Sequence, residues 1–179
     1  MSHFLWSPDK SVAVGTSTSV SGSTSDVFFT NDPEDETKPN ANFHVNGETG
    51  TNQWRTLSNA EWNYLLNSRA NATSLRAWKE LDDGTHKGLV ILPDDTDALV
   101  MSSITSTANL ASSGAVFLPA AGNRNVTDVN YVGSYGYYWS STPDKDNGGL
   151  AFIMYFCSDS SVSARLGLRY LGNSVRLVR

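Results

Sequence analysis

The sequence YYWSST at residues 137–142 begins the stretch that decides the fold, and SVRLVR at residues 174–179 ends it. Both ends carry aromatic or alternating apolar residues, the pattern of a buried β-strand. Between them, residues 157–173 read CSDSSVSARLGLRYLGN and show no sustained apolar period. Two patterned ends around an unpatterned middle are expected of a scaffold that displays variable side chains.

Composition predicts one loop-rich domain over residues 1–179. Charged residues make up 17% of the chain and aromatic residues 11%, a balance that suits a loop-rich fold with an aromatic core better than a helical bundle. The formal net charge is −5, so a nucleic-acid backbone would have no electrostatic attraction to the chain. We therefore expect no nucleic-acid partner.

The sequence contains few features that indicate a cellular compartment. Cys157 is the single cysteine, so no internal disulfide is expected. No apolar stretch approaches the roughly 20 residues of a membrane span, which predicts no direct membrane insertion. The start, MSHFLW, lacks the basic and apolar regions of a signal peptide.

The clearest local signal is a helix at about 59–69. Ser58 and Glu61 have capping-box spacing, and Leu57 and Trp62 stand where a hydrophobic staple forms. Trp62, Leu65, Leu66 and Arg69 then follow at helical spacing, with the arginine placed to favour the C-terminal end of the helix dipole.

Other elements follow from alternation and turn residues. Residues 75–81 and 88–93 read as a strand pair around the turn 82–84, and 114–119 reads as a buried strand. A short second helix is expected within 98–113, a strand at 25–30 and a surface loop at 31–42. Residues 144–148 imitate the start of a calcium loop, but Tyr155 stands where the bidentate glutamate is needed, so a hairpin turn is predicted.

The order of five segments identifies a family resemblance. They are WRTLSNAEWNYLLNSR (54–69), GLVILPDD (88–95), GAVFLPAAGNR (114–124), VGSYGYYWSST (132–142) and SVRLVR (174–179). Together they resemble C-type-lectin-fold domains of the formylglycine-generating-enzyme-like branch, and above all the variable proteins of diversity-generating retroelements from gut bacteria and their phages. The resemblance implies an α+β fold of short antiparallel strands, one or two helices and much loop. It is specific over 54–179 and loose over 1–53.

In that family an error-prone reverse transcriptase rewrites adenines near the 3′ end of the gene. Asparagine-type codons altered in this way never yield Lys, Glu, Gln, Trp or Met. Residues 146–175 contain no Lys, Glu, Gln or Trp, and their only methionine is Met154. The resemblance therefore implies a variable region at 131–173, with its main stretch after Lys145, where the codon pattern breaks.

The candidate ligand-binding positions all belong to the set of residues that such codons can yield. They are Tyr135, Phe152, Ile153, Tyr155, Cys157, Asp159, Arg165, Leu166, Leu168, Tyr170, Leu171 and Asn173, with Gly167 among the allowed residues. A position that must accept many side chains cannot contribute to the core, since most variants would then unfold. We expect these residues to be exposed on one face, held from beneath by Trp139, Ala151, Phe156, Val175 and Leu177. An ordinary strand whose leucines alternate into the core is the alternative.

The functional hypothesis is a non-enzymatic binding module, extracellular or on a virion surface. Its partner would be a protein or glycan on a cell surface, met through a phage tail fibre or a bacterial surface structure, with oligomerisation through that larger assembly. We expect no cofactor, no metal and no catalytic set, since His3, His44 and His86 are scattered.

Two other functions stay open. A calcium-dependent lectin is the first, although its EPN or QPD and WND motifs are absent from the sequence. An oxidase like the formylglycine-generating enzyme is the second, although the resemblance implies a cysteine pair for that chemistry and only Cys157 is present.

Overall fold

The computed structural model describes residues 55–178, which form a mixed α+β architecture with few helices and antiparallel sheets. The strand at 25–30 and the loop at 31–42 predicted above lie outside the described residues. The described strands are β1 (Arg55–Thr56), β2 (Arg76–Leu81), β3 (His86–Ile91), β4 (Val116–Pro119), β5 (Asn123–Asn125), β6 (Asp128–Asn130), β7 (Tyr135–Pro143), β8 (Leu150–Cys157), β9 (Val162–Leu168) and β10 (Leu177–Val178).

The predicted capping box is confirmed at the start of α1 (Asn59–Asn63). Ser58 Oγ accepts a hydrogen bond from the Glu61 N–H at 3.1 Å, and Glu61 Oε2 accepts one from the Ser58 N–H at 2.8 Å. These two bonds satisfy backbone donors that a helix start otherwise leaves unpaired.

The second half of this helix differs from the prediction. After Asn63 it widens into a π-helical turn, Tyr64–Ser68, in which the Arg69 N–H donates to the Tyr64 carbonyl at 2.9 Å. Arg69 is buried, and its guanidinium donates to the Leu92 carbonyl at 2.9 Å and to Asp94 at 2.7 Å. Arg69 therefore joins the helix to the sheet instead of serving the helix end alone.

The predicted strand pair is confirmed as the hairpin β2–β3, which β4 extends to a three-stranded antiparallel sheet. Asp82 and Asp83 make its turn with left-handed φ values of 52° and 56°. The helix expected within 98–113 is present as two short helices, α2 (Val100–Ser103) and α3 (Thr107–Ser113). Ser106 caps α3, and Gly114 ends it in the left-handed conformation.

A second three-stranded antiparallel sheet has the order β7–β8–β9. Residues 144–149 connect β7 to β8, so the predicted hairpin turn is confirmed. The stretch 157–173, which lacks an apolar period, nevertheless contains strand β9 paired along β8. Backbone hydrogen bonds form this pairing, so it does not require an apolar alternation along β9.

The main core lies between α1, the β3–β4 strands and one face of the β7–β8–β9 sheet. Its largest buried members are Trp62, Leu66, Leu89, Leu118, Tyr138, Met154 and Phe156. The Trp62 indole donates to the Trp139 carbonyl at 3.4 Å, and the Tyr138 hydroxyl donates to the Pro119 carbonyl at 2.9 Å. Of the helices described, none is long and apolar enough to cross a membrane.

Candidate ligand-binding surface

The β7–β8–β9 sheet has one face on the main core and one face outside it. Tyr138 and Met154 are paired across β7 and β8 and belong to the core. Because side chains alternate along a strand, the neighbouring pairs Tyr137–Tyr155 and Tyr135–Cys157 lie on the opposite face. Tyr155 in turn pairs with Ser163, so the register places Arg165, two residues further, on that same outer face.

Four tyrosine rings meet on this outer face. Tyr155 lies 5.6 Å from Tyr135 and 5.5 Å from Tyr137, measured between ring centroids. Tyr135 and Tyr137 stack at 6.1 Å. Tyr131, from the loop before β7, meets Tyr135 edge-on at 5.2 Å. We call Tyr131, Tyr135, Tyr137, Tyr155 and Arg165 the aromatic patch.

Arg165 completes the patch from strand β9. Its Cζ atom lies 3.8 Å from the Tyr155 ring centroid, within the range of a cation–π interaction. Its Nε–H donates to Ser163 Oγ at 3.2 Å. The guanidinium is exposed and covers Tyr155, whose residue is only 7% exposed.

Burial makes two phenols of the patch harder to ionise. Burial is the largest cause that raises the pKa of Tyr155, and it also raises the pKa of Tyr137. The nearby Arg165 opposes both shifts but is the smaller influence. Arg165 supplies the guanidinium of the patch, which lies over the Tyr155 ring. Such a surface combines apolar area with a guanidinium donor, the composition of strong contact sites in protein interfaces.

The loop that carries Tyr131 is conformationally strained. Tyr131 has a φ of 64°, a left-handed value that a residue with a side chain adopts at a cost of about 1–2 kcal/mol. Its carbonyl accepts hydrogen bonds from the Ser134 and Tyr135 N–H groups, both at 3.1 Å. Gly122 packs beneath the loop so closely that a Cβ there would lie 1.9 Å from the Asn130 carbonyl oxygen. These contacts hold Tyr131 against Tyr135.

Cys157 and Asp159 are joined at the turn from β8 to β9. The Cys157 thiol donates to Asp159 Oδ1 at 2.9 Å, and the Ser161 N–H donates to the same oxygen at 2.7 Å. The Cys157 bond, followed by those from Ser161, lowers the pKa of Asp159 to about 2. Cys157 itself is a buried free thiol.

The structure divides the candidate positions into three groups. Tyr135, Ile153, Tyr155, Cys157, Arg165 and Gly167 lie on the outer face of the sheet, whereas Phe152, Leu166 and Leu168 lie on the other face. Asp159 lies in the β8–β9 turn, and Tyr170, Leu171 and Asn173 follow β9. The expectation of one common face is therefore wrong for Phe152, Leu166 and Leu168, because alternation along β8 and β9 turns them away from Arg165.

Exposure also differs from the expectation. Leu166, Leu168 and Tyr170 are exposed, so these leucines do not enter the core as the alternative reading required. Full exposure is wrong for Ile153, Tyr155, Cys157 and Asn173, which are 6%, 7%, 8% and 0% exposed. These four cannot vary freely without a loss of packing.

The supporting residues are correctly predicted only in part. Phe156 lies in the main core beneath the sheet. Trp139 and Ala151 are buried, but with Ile153 they form a separate cluster on the outer face, against which Val175 packs. They therefore flank the patch instead of underlying it. Leu177 lies in β10, which pairs with β1.

Two members of the patch are missing from the candidate list. Tyr131 and Tyr137 are not among the predicted positions, although Tyr135 and Tyr137 share the alternation of one strand face. That spacing could have found Tyr137, whereas Tyr131 lies in the loop before β7 with a left-handed φ, where strand alternation does not apply.

Within residues 55–178, no three His, Cys, Asp or Glu side chains are grouped closely enough to hold a metal ion. Comparisons of the chain with protein-family models, with curated proteins and with solved structures found no match.

Proposed function

We propose that this chain is a non-enzymatic binding protein that recognises its ligand through the aromatic patch, on a C-type-lectin-like scaffold diversified by a retroelement. The observation that carries the proposal is a cluster of four tyrosine rings, one of them covered by an exposed guanidinium, on a sheet face outside the main core. Tyrosine and arginine contribute strongly to binding because they combine large apolar area with directed hydrogen bonds.

The position of the patch also supports the diversification hypothesis. Exposed Arg165, Leu166, Leu168 and Tyr170 lie along or just after β9, the outer strand of its sheet. Side chains here can change without opening a cavity in the main core, so the backbone pairing of β9 with β8 can persist through sequence change. We place the variable positions here and at Tyr135 and Asp159, with buried Tyr155 as a support.

The partner we propose is a protein or glycan on a cell surface, contacted from a phage tail fibre or a bacterial surface structure. Sequencing of the 3′ end of the gene in several isolates tests the genetic part. We expect differences at Tyr135, Asp159, Arg165, Leu166, Leu168 and Tyr170, beside a template copy and a reverse-transcriptase gene. Differences spread evenly over the chain would contradict the proposal.

A cell-binding experiment tests the recognition part. The labelled protein is applied to intact gut bacteria, and the triple variant Tyr131→Ser, Tyr135→Ser, Arg165→Ser is compared with a control. The control carries Leu99→Ser, Val126→Ser and Lys145→Ser, which alter exposed residues outside the patch and remove the same charge. We expect only the patch variant to lose binding. Equal loss in both variants would refute the role of the patch, and loss on chelation would favour a calcium-dependent lectin.

A further inference from the structure

A second concave surface lies apart from the aromatic patch. It is a groove of about 570 Å³ bordered by the β2–β3 turn, strand β4 and the hairpin β5–β6, and none of the patch residues lines it. This volume falls within the range of small-molecule sites, about 300–1,000 Å³. The groove is therefore large enough for a small organic ligand.

The walls of the groove are largely apolar, and hydrogen bonds hold its floor. Phe117 of β4 and the neighbouring Ala120 line the groove, together with Val129 of β6 and Val132 of the loop before β7, both of which are exposed. The Ala120 N–H donates to the Lys87 carbonyl and the Gly133 N–H donates to the Ala120 carbonyl, each at 2.7 Å. These two bonds connect strand β3, the end of strand β4 and the loop at Gly133. The backbone that forms the groove is therefore fixed before a ligand binds.

The ionisable side chains that line the groove belong to the basic residues His86, Lys87 and Arg124, although the chain as a whole has a net charge of −5 with histidine neutral. His86 lies 3.1 Å from Asp82, and Lys87 lies 3.3 Å from Glu80, so acids outside the lining partly offset these two.

Arg124 differs, since it has no acidic partner within ion-pair distance in the described part of the chain. Its backbone is fixed by two hydrogen bonds with Gly172, both at 2.8 Å. A guanidinium mounted beside an apolar groove matches a carboxylate attached to an apolar body.

We propose that this groove binds a small organic carboxylate, with the carboxylate at Arg124 and the apolar body between Phe117 and the two valines. None of the aromatic-patch residues lines the groove, so this proposal is independent of the function proposed for that patch.

Titration of the full chain with 3-phenylpropionate, followed by NMR of the Ala120, Val129 and Val132 methyl groups, tests the assignment. We expect saturable shifts at these methyls below about 10 mM, the affinity range of ligands of this size. The neutral 3-phenyl-1-propanol should bind at least about tenfold more weakly, because it lacks the charge that Arg124 pairs. Absence of shifts, or equal binding of the alcohol, would overturn the proposal.

Two variants and one control complete the test. Arg124→Gln should weaken phenylpropionate binding at least about tenfold, and Val132→Asp, at a residue that is 64% exposed, should abolish it by placing an acid in the groove. Arg165→Gln removes an exposed arginine outside the groove and should leave binding unchanged. Unchanged binding in both groove variants, or equal weakening in the control, would show that the groove is not the site.

Discussion

The guanidinium of Arg165 lies over the ring of Tyr155, with its Cζ atom 3.8 Å from the ring centroid. The two residues are on adjacent strands, offset by two positions from direct pairing, since Tyr155 pairs with Ser163 and Arg165 pairs with Ile153. Their roles in stability differ, because Tyr155 is buried and Arg165 is exposed. Tyr155 is therefore the member of the pair that packs beneath the patch, and Arg165 is the member that can be replaced with little loss of packing.

Replacing Tyr155 should destabilise the fold more than replacing Arg165. Tyr155→Ala deletes a buried ring and should lower the free energy of unfolding by about 3–5 kcal/mol. Arg165→Ala loses one exposed cation–π contact and should lower it by about 0.5–1 kcal/mol. Urea denaturation measures both, with Tyr155→Phe as the control that keeps the ring. Equal losses would contradict the assignment of Tyr155 as the support.

Replacement by alanine should destabilise the fold more at Gly122 than at Gly133, although both glycines have a left-handed backbone. Gly122 and Gly133 have φ values of 66° and 77°, but a Cβ at Gly122 would lie 1.9 Å from the Asn130 carbonyl oxygen, whereas the nearest atom at Gly133 is 3.9 Å away. Gly133→Ala should lower the free energy of unfolding by about 1–2 kcal/mol, the cost of a left-handed backbone for a residue with a Cβ. Gly122→Ala should cost at least about 1–3 kcal/mol more through overpacking. Thermal unfolding compares the two, and similar melting temperatures would argue against the close approach at Gly122.

Asp159 should titrate at unusually low pH. Hydrogen bonds from the Cys157 thiol and from Ser161 lower its pKa from 3.8 to about 2. Because the folded-state pKa is depressed, these bonds stabilise the fold above about pH 4, and that contribution is lost as the pH falls toward about 2. Carbon-13 NMR of the Asp159 carboxyl measures the pKa directly.

A thiol variant identifies the cause of this shift. Cys157→Ala removes the largest contribution and should move the pKa of Asp159 back toward 3.8, whereas Cys157→Ser keeps a donor and should hold it low. An Asp159 pKa that is unchanged in the alanine variant would assign the shift to Ser161 alone.

The helix start at Ser58 should contribute measurably to stability. Ser58→Ala removes the side-chain half of the capping box and should lower the free energy of unfolding by about 1 kcal/mol. Ser112→Ala is the matched control, since its exposed hydroxyl only donates to the Asn109 carbonyl within α3. Chemical denaturation should show less than about 0.5 kcal/mol for the control. Equal effects would mean that the cap does not fix α1.

Local sequence signals predicted the elements whose formation depends on near neighbours. The Ser58–Glu61 cap, the β2–β3 hairpin and the turn at 144–148 all follow from residues a few positions apart, and the structure contains each of them. The π-helical turn was not predictable in this way. It ends at Arg69, whose guanidinium bonds to Leu92 and Asp94, residues more than twenty positions away.

By itself the sequence determined an α+β chain with a capped helix, antiparallel hairpins and a tail rich in residues suited to display. Only the tertiary structure decided which of those residues share a surface. The strand register sends Tyr135, Tyr155 and Arg165 to one face and Leu166 and Leu168 to the other, and the Tyr131 loop brings a fourth ring to the patch. The physical reason is that side-chain direction has a period of two along a strand, so the register of β7, β8 and β9 fixes which residues share a face. Which face is covered by the core is then decided by α1 and strands β3 and β4, which are distant in the chain.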